Sequence, residues 1–156
     1  MCRRWLVLTA LVGASLPWCL AALVSADTRQ DGKEYSGRVV SLAPLLEKDG
    51  APLDKDAQPY FLALVCDDGR ISPLLKDAGS RMFFKDPQLL NRPVVVRGRV
   101  VGKTGLLQVF QVLTLVEGKR HEPYYWCDIC KIKRFEPNAC DCCGAPLEFR
   151  EEPIQR

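Results

Sequence analysis

Histidine is almost absent from this 156-residue chain, which contains His121 and no other. A catalytic arrangement of the Ser-His-Asp or Cys-His type would have to use this side chain, and no nucleophile turn lies near it. We therefore expect a protein that is not an enzyme. His121 stands six residues before a cysteine cluster, and we interpret it as a solvated linker residue rather than a metal ligand.

The chain also carries little net charge. Residues 1–26 contain Arg3 and Arg4 and no acidic residue, so the remaining chain has 20 basic and 19 acidic side chains, a net charge of +1. Proteins that bind polyanions normally carry a larger positive excess. The charge balance therefore argues against nucleic acid as a partner.

Residues 1–26 have the pattern of an export signal. Arg3 and Arg4 form a basic start, an uncharged apolar stretch follows, and Val24-Ser25-Ala26 ends it with small residues of the kind that signal peptidase reads. Cleavage before Asp27 is predicted, and the alternative is an uncleaved anchor that crosses a bilayer. In both cases the rest of the chain is predicted to be exported, to the periplasm or the extracellular space.

Residues 33–118 show the apolar alternation and turn signals of short strands. Residues 43–59 are predicted to be a loop, and residues 76–90 a short helix or irregular segment broken at Pro87. Three strands, a helix and two strands is the order of the OB fold, a small five-stranded barrel in which Gly98 would allow a bend. The sequence thus predicts an all-β fold with an OB-like barrel, and another small barrel or sandwich is the alternative. The strand patterns cover 35–42, 60–66, 70–75, 94–101 and 106–116.

Three arginines alternate on the first and fourth of these strands and could form a basic stripe with Lys103. OB folds bind single-stranded nucleic acid by stacking bases on aromatic rings beside such a stripe, and Tyr60 and Phe61 supply the rings. Alternation predicts that at least one of these two rings is a core residue. The alternative interpretation is a solvated sheet face. The arginines are Arg38, Arg97 and Arg99.

Five cysteines lie between positions 127 and 143. Cys127-x-x-Cys130 is followed, after nine residues, by Cys140-x-x-Cys143. Two such pairs on tight turns can give four thiolates to one tetrahedral ion, and Gly144 provides the permissive backbone that the second turn favours. The sequence therefore predicts a four-cysteine metal module over residues 121–150, with these cysteines as ligands.

The remaining cysteines leave alternatives open. Cys142 could replace Cys143 in the second pair, although the spacing and the glycine that follows favour Cys143. Disulfides are the main alternative to metal, because an oxidising exterior permits them and could involve Cys66 as well. A hybrid with four ligands and a bridge between Cys66 and Cys142 is also possible. Metal is favoured because tandem C-x-x-C turns are preorganised for an ion, and because a structural zinc contributes on the order of 10 kcal/mol to a module too small to fold alone.

The cysteine segment resembles two known families. The run Trp126-Cys127-x-x-Cys130, Glu136-Pro137 and Cys140-x-x-Cys143-Gly144-Ala145-Pro146, with Phe149 behind it, looks like the rubredoxin-like domain that ends rubrerythrins. It is similar also to the short heavy-metal-binding domain of some copper-transport proteins. The resemblance covers the C-terminal module alone, and it implies the same four cysteine ligands.

Two departures from the rubredoxin pattern concern the metal. Lys131 stands where a glycine usually follows the first pair, and the spacing between the pairs is shorter than usual. Both departures favour zinc, with iron as the alternative. The Glu-x-x-His motifs of a rubrerythrin di-iron bundle are missing upstream.

These patterns predict an exported, non-enzymatic protein with a structural zinc ribbon and an OB-like binding or scaffold domain. Its expected partner is a cell-envelope protein or a small ligand, and a membrane contact is expected only through residues 1–26 if they stay attached. The first alternative is a rubredoxin-like electron-transfer or metal-handling protein that takes iron or copper. The second is a single-strand nucleic-acid-binding protein.

Overall fold

The computed structural model describes residues 32–154, and the predicted export segment 1–26 lies outside them. The described chain is mostly β, with 44% of residues in strands and 14% in helices, which confirms the all-β prediction. The strands are β1 Lys33–Ser41, β2 Leu62–Cys66, β3 Ile71–Pro73, β4 Pro93–Val100, β5 Leu107–Val116, β6 Lys119–Cys127, β7 Ile132–Arg134 and β8 Glu148–Pro153. The helices are α1 Ala43–Lys48 and α2 Arg81–Lys85, with 3-10 turns at Gln58–Tyr60 and Pro87–Leu89.

The strands form one antiparallel sheet in the order β3-β2-β1-β4-β5-β6-β7, and β8 pairs with β6. This sheet is open, so the predicted closed barrel is wrong. β3 is three residues long, and Leu74, the residue after it, meets β5 only at an isolated bridge to Leu107. The far end of β5 pairs with β6 instead, from Thr114 to Val116. So short a strand cannot supply the ladder of hydrogen bonds that closing a barrel requires.

Local structure differs from the sequence prediction in two segments. The segment 43–59, predicted as a loop, begins with α1, whose Pro44 occupies a first-turn position that a helix tolerates. The segment around His121, interpreted from the sequence as a linker, is strand, because β6 begins at Lys119 directly after a tight turn with positive φ at Glu117 and Gly118. The cysteine segment therefore continues a strand of the main sheet. The predicted helix in 76–90 is confirmed by α2 and the 3-10 turn that starts at Pro87.

The apolar core lies between the inner faces of the strands and α2. Phe83 of α2 packs among side chains of β1, β2, β4 and β5 that are almost fully buried. Tyr125 of β6 belongs to the same cluster, and Leu147 and Phe149 pack against it from the C-terminal segment. The C-terminal strands are thus anchored on the core of the main sheet. The strand members of this core include Val39, Leu64, Val94, Val96, Leu107 and Val109.

Gly98 lies where β4 and β5 change register. A β-bulge separates Arg97 from Gly98, and a Cβ on Gly98 would stand 2.2 Å from the carbonyl oxygen of Gln108. Only glycine fits so close a backbone approach, which agrees with the bend predicted at this position. Among residues 32–154, no helix has the length and apolar character needed to cross a membrane.

Candidate metal centre

The four predicted ligands come together at one end of the sheet. Cys127 is the last residue of β6, Cys130 follows in the turn before β7, and Cys140 and Cys143 lie in the turn before β8. Their sulfur atoms all lie within 4.8 Å of one another, and the Sγ atoms of Cys127 and Cys143 are 3.5 Å apart. Strand pairing between β6 and both β7 and β8 brings the two turns to the same place.

The two cysteine turns have the same backbone design. The N–H of Lys131 donates to the carbonyl of Cys127 at 2.8 Å, and the N–H of Gly144 donates to the carbonyl of Cys140 at 2.8 Å. Both donor residues have a left-handed backbone conformation, with φ of +56° at Lys131 and +71° at Gly144. A lysine in this region costs about 1 kcal/mol more than a glycine. Lys131 therefore takes the same left-handed conformation as Gly144, so the absence of a glycine after the first cysteine pair does not prevent this turn.

Backbone N–H groups point at the sulfurs. The N–H of Cys130 donates to Cys127 Sγ at 3.4 Å. Hydrogen bonds from the N–H groups of Cys143 and Cys142 lower the pKa of Cys140 to about 7. These amides stabilise a thiolate at neutral pH and leave Cys140 ready to bind a cation.

Contact with neighbouring thiols helps to raise the pKa values of Cys130 and Cys143. Hydrogen bonds with Cys142, and then with Cys143, raise the pKa of Cys130 far above its usual value. The N–H of Ala145 lowers the pKa of Cys143, but desolvation and hydrogen bonds with Cys127 and Cys140 outweigh it, so this pKa is raised. Four thiolates this close need a cation among them, because their mutual repulsion otherwise keeps protons on some of them.

The residues fit a tetrahedral thiophilic ion. A zinc ion bound at 2.3 Å by four sulfurs places them about 3.8 Å apart; here the sulfurs all lie within 4.8 Å of one another, and those of Cys127 and Cys143 are 3.5 Å apart. A disulfide would need a bond of about 2.05 Å, and all six cysteines of the described region are free thiols. Four thiolates suit zinc and iron alike.

The remaining two cysteines differ in environment. Cys66 lies at the end of β2 within the core cluster, and burial raises the pKa of its thiol. Cys142 is exposed and lies outside the four-sulfur group, although its side chain raises the pKa of Cys130. Both are free, so the hybrid with a bridge between them is not formed. The structure places Cys143, and not Cys142, among the four sulfurs.

Ion pairs hold the loop between the cysteine pairs against α2. Arg81 Nη1 donates to Glu136 Oε1 at 2.6 Å, and Lys85 Nζ lies 3.1 Å from Glu136 Oε2. Lys85 also donates to Asn138 Oδ1 at 3.3 Å. This loop is therefore fixed to the main sheet by charge rather than by buried apolar surface.

A buried polar pair joins the same two regions, and sequence reasoning missed it. The hydroxyl of Tyr125, on β6, donates to the carboxylate of Asp86, which follows α2 and is 7% exposed. The two residues are 39 positions apart, so no local spacing signals the contact. An aspartate next to a proline is typical of a turn, and its burial is the feature that only packing reveals.

His121 does not join the cysteine cluster. It lies on β6, where its Nδ1 is 3.0 Å from the carbonyl oxygen of Lys119. Its assignment to a linker is wrong, because the segment is strand.

The predicted basic stripe is not assembled. Arg38 lies opposite Pro93 whereas Arg97 lies opposite Glu34, four residues along the β1–β4 pair, or about 13 Å. Arg38 donates to the carbonyl of Asn91 at 2.6 Å. The two aromatic rings that were expected to stack on bases, Tyr60 and Phe61, are 57% and 44% exposed. The prediction that at least one of them lies in the core is therefore wrong.

Comparison with family models, with curated proteins and with solved structures finds no match to this chain. The resemblances to rubredoxin-like domains and to the OB fold thus rest on the cysteine motif and the strand order. What the structure establishes is an antiparallel sheet that carries, at its C-terminal end, four cysteines able to hold a metal ion.

Proposed function

We propose that this protein is an exported metal-binding protein in which a structural zinc site of four cysteines supports a β-sheet scaffold that binds a partner at the cell envelope. The observation that carries the proposal is the convergence of four sulfurs in a segment with almost no apolar core. Of the described residues after Cys127, Cys140 alone is buried. Without a metal, that segment has too little buried surface to hold its turns together.

Zinc with four thiolate ligands has no open coordination position, so it stabilises a fold and does not activate water. The residues that would hold it are Cys127, Cys130, Cys140 and Cys143, and their backbone N–H partners offset the negative charge. The partner is then recognised by the sheet, whose geometry the zinc module completes through β6 to β8.

The decisive experiment compares neighbouring cysteines. Elemental analysis of the purified protein is expected to give one zinc per chain and a colourless solution. Cys143→Ser removes a ligand and is expected to lose most of the zinc, whereas Cys142→Ser, one position away and outside the four-sulfur group, is expected to keep it. Zinc-free protein with disulfides, or equal zinc in the two variants, would contradict the proposal.

Export has its own test. N-terminal sequencing of protein recovered from a secreting bacterial host is expected to begin at Asp27. Membrane-bound protein that still begins at Met1 would instead support the anchor, and unprocessed protein in the cytoplasm would contradict export altogether.

A metal-handling or electron-transfer function is the second candidate, and the position of Cys142 favours it. This fifth thiol is exposed, stands directly beside Cys143 in the chain and raises the pKa of Cys130, so it could replace a ligand while an ion is passed on. Transfer of the metal to a chelator should then be slower in Cys142→Ser than in the unmodified protein. Equal rates would exclude this role for Cys142, and a visible thiolate-to-iron absorption that bleaches on reduction would indicate electron transfer.

A further inference from the structure

A cleft of about 900 Å³ lies where the main sheet meets the cysteine module. One side is formed by β4, β5 and the start of α2, and the other by β6 and by Phe135, which follows β7. Phe135 is 54% exposed, although a phenylalanine is normally buried. The volume is in the range of small-molecule sites, and larger than a side-chain packing defect.

The β-bulge shapes one wall of this cleft. Arg97 pairs with Gln111 and Gly98 pairs with Val109, so Phe110 is the extra residue that has no partner across the ladder. A bulge turns side chains away from the regular alternation, and bulges are frequent beside binding sites. Here it brings a guanidinium, an aromatic ring and a carboxamide to the same wall.

The base of the cleft is apolar and firmly built. A Cβ on Gly79 would lie 1.8 Å from the carbonyl oxygen of Val109, so the backbone before α2 lies directly against β5 with no room for a side chain. Met82, Val112 and Pro123 are buried beneath the opening. A ligand ring can therefore rest on an apolar surface that is already formed.

Of the charged side chains that line the cleft, Arg97 and Glu122, only Glu122 has a counter-ion among residues 32–154. Glu122 is paired with Lys133 at 3.3 Å, so its charge is compensated. Glu34, the cross-strand neighbour of Arg97, accepts hydrogen bonds from Arg120 at 3.0 and 2.9 Å. Arg97 itself has neither an ion pair nor a side-chain hydrogen bond in this described part of the chain.

We propose that this cleft binds a small organic anion that has an aromatic body and a single carboxylate. The guanidinium of Arg97 receives the carboxylate through paired hydrogen bonds, and the ring lies between Phe110 and Phe135 on the apolar base. A single uncompensated cation among the described residues of the cleft suits a single carboxylate and would give a polyanion little affinity. The inference rests on the proposed binding role of the sheet and names the chemistry of its ligand.

A matched pair of probes tests this assignment. Indole-3-acetate and indole-3-acetamide have the same ring and nearly the same shape, and differ in the charge of the terminal group. Each is titrated into ¹⁵N-labelled, zinc-loaded full chain while amide shifts are recorded by NMR. Indole-3-acetate is expected to shift the amides of Phe110, Gln111 and Phe135, and to bind about three- to tenfold more tightly than the acetamide.

Variants assign the difference to one side chain. Arg97→Gln should bring the affinity for the acetate down to that of the acetamide and leave the acetamide unchanged. Arg70→Gln, an exposed arginine paired with Asp68 away from the cleft, serves as the control and should change neither. Phe135→Ala should weaken both probes, because it removes one wall for the shared ring.

Three outcomes would overturn the inference: equal affinity for the two probes, shifts outside the cleft, or undiminished acetate binding by Arg97→Gln. Zinc content is measured on the same samples. A zinc-loaded protein that fails to discriminate the probes refutes the cleft and leaves the metal proposal intact, whereas a zinc-free protein refutes the metal proposal directly.

Discussion

The main sheet and the cysteine module are held together by different forces. In β1 to β5 and α2, apolar side chains such as Leu64 and Phe83 are almost completely buried. In the segment after Cys127, Ile129 is 71% exposed. Apart from β8, which pairs with β6 and packs Phe149 on the core, the contacts of this segment are sulfurs and surface ion pairs. The first region can be stabilised by burial alone, whereas the second needs a cross-link.

The comparison shows how a small module can be added to a stable sheet. β6 belongs to both regions, since it pairs with β5 at one end and with β7 and β8 at the other. Tyr125 places the strand in the main core, so a metal bound by the four cysteines would have to organise only the turns beyond it. The two regions should therefore respond very differently to metal removal and to mutation.

Removal of the metal should have the largest effect and should be confined to the module. A strong chelator is expected to remove stabilisation on the order of 10 kcal/mol, because a structural zinc contributes about that much to the folding of a small module. Amide hydrogen exchange should become fast at Lys131 and Gly144 and stay slow in β1, β2 and β4. Re-addition of zinc is the control and should restore protection. Loss of protection across the whole sheet would show that the two regions are one cooperative unit.

A substitution in the core of the main sheet should destabilise that sheet and leave the metal content unchanged. Leu64→Ala is expected to lower the free energy of unfolding of the main sheet by about 2–5 kcal/mol, because it leaves a cavity at a fully buried site. Denaturant unfolding measures the loss, and the zinc content of the native protein should not change. Leu45→Ala is the matched control, since Leu45 is 37% exposed and should cost less than about 1 kcal/mol. Equal losses in the two variants would contradict the proposed core.

Loss of the hydrogen bond between Tyr125 and Asp86, which links the two regions, should have an intermediate effect on stability. Tyr125→Phe leaves the buried carboxylate of Asp86 without its hydroxyl donor and should cost about 1–3 kcal/mol. Burial first, and the contact with Asp86 second, raise the pKa of Tyr125, so its hydroxyl keeps the donated proton throughout the neutral range. Tyr60→Phe, at a ring that is 57% exposed, is the control for loss of a hydroxyl. Thermal unfolding should separate the two, and equal stability would exclude a structural role for this bond.

The ion pairs of Glu136 should have the smallest effect. Glu136→Gln is expected to cost at most about 1 kcal/mol at neutral pH, and high salt should reduce the difference. Desolvation raises the pKa of Glu136, but hydrogen bonds from Lys85 and Arg81 outweigh it and hold the pKa below the ordinary 4.5. Because the folded-state pKa is depressed, this stabilisation is present above pH 4.5 and is lost as the pH falls through the lower value.

The pH profile is measured by denaturant unfolding of both proteins with zinc in excess. Glu47→Gln is the control, since Glu47 has no ion pair in the part of the chain that the structure describes. A difference for Glu136→Gln that grows at low pH would have the wrong sign and would contradict this account.

Strand order and cysteine pairing were predictable because both are local signals. The strand patterns agree with β1 to β5 to within a few residues, and the two C-x-x-C motifs with Gly144 indicate the cysteine turns. Closure of the sheet into a barrel could not be predicted from the sequence, because it depends on the length of β3 and on which edge of β5 remains free. The assignment of His121 to a linker was wrong, because Glu117 and Gly118 form a hairpin turn and β6 begins directly after it. A polar, charged segment is compatible with a linker and with such a turn.

The sequence by itself determined which side chains can serve as thiolate ligands and that the chain forms antiparallel strands, since spacing and alternation act over a few residues. Tertiary structure alone decided that β6 joins the main core through Tyr125 and Asp86, and that a bulge brings Arg97 and Phe110 to a cleft facing Phe135. These contacts join residues far apart in the chain, and their energies depend on burial and on which charges are paired, which no local pattern encodes.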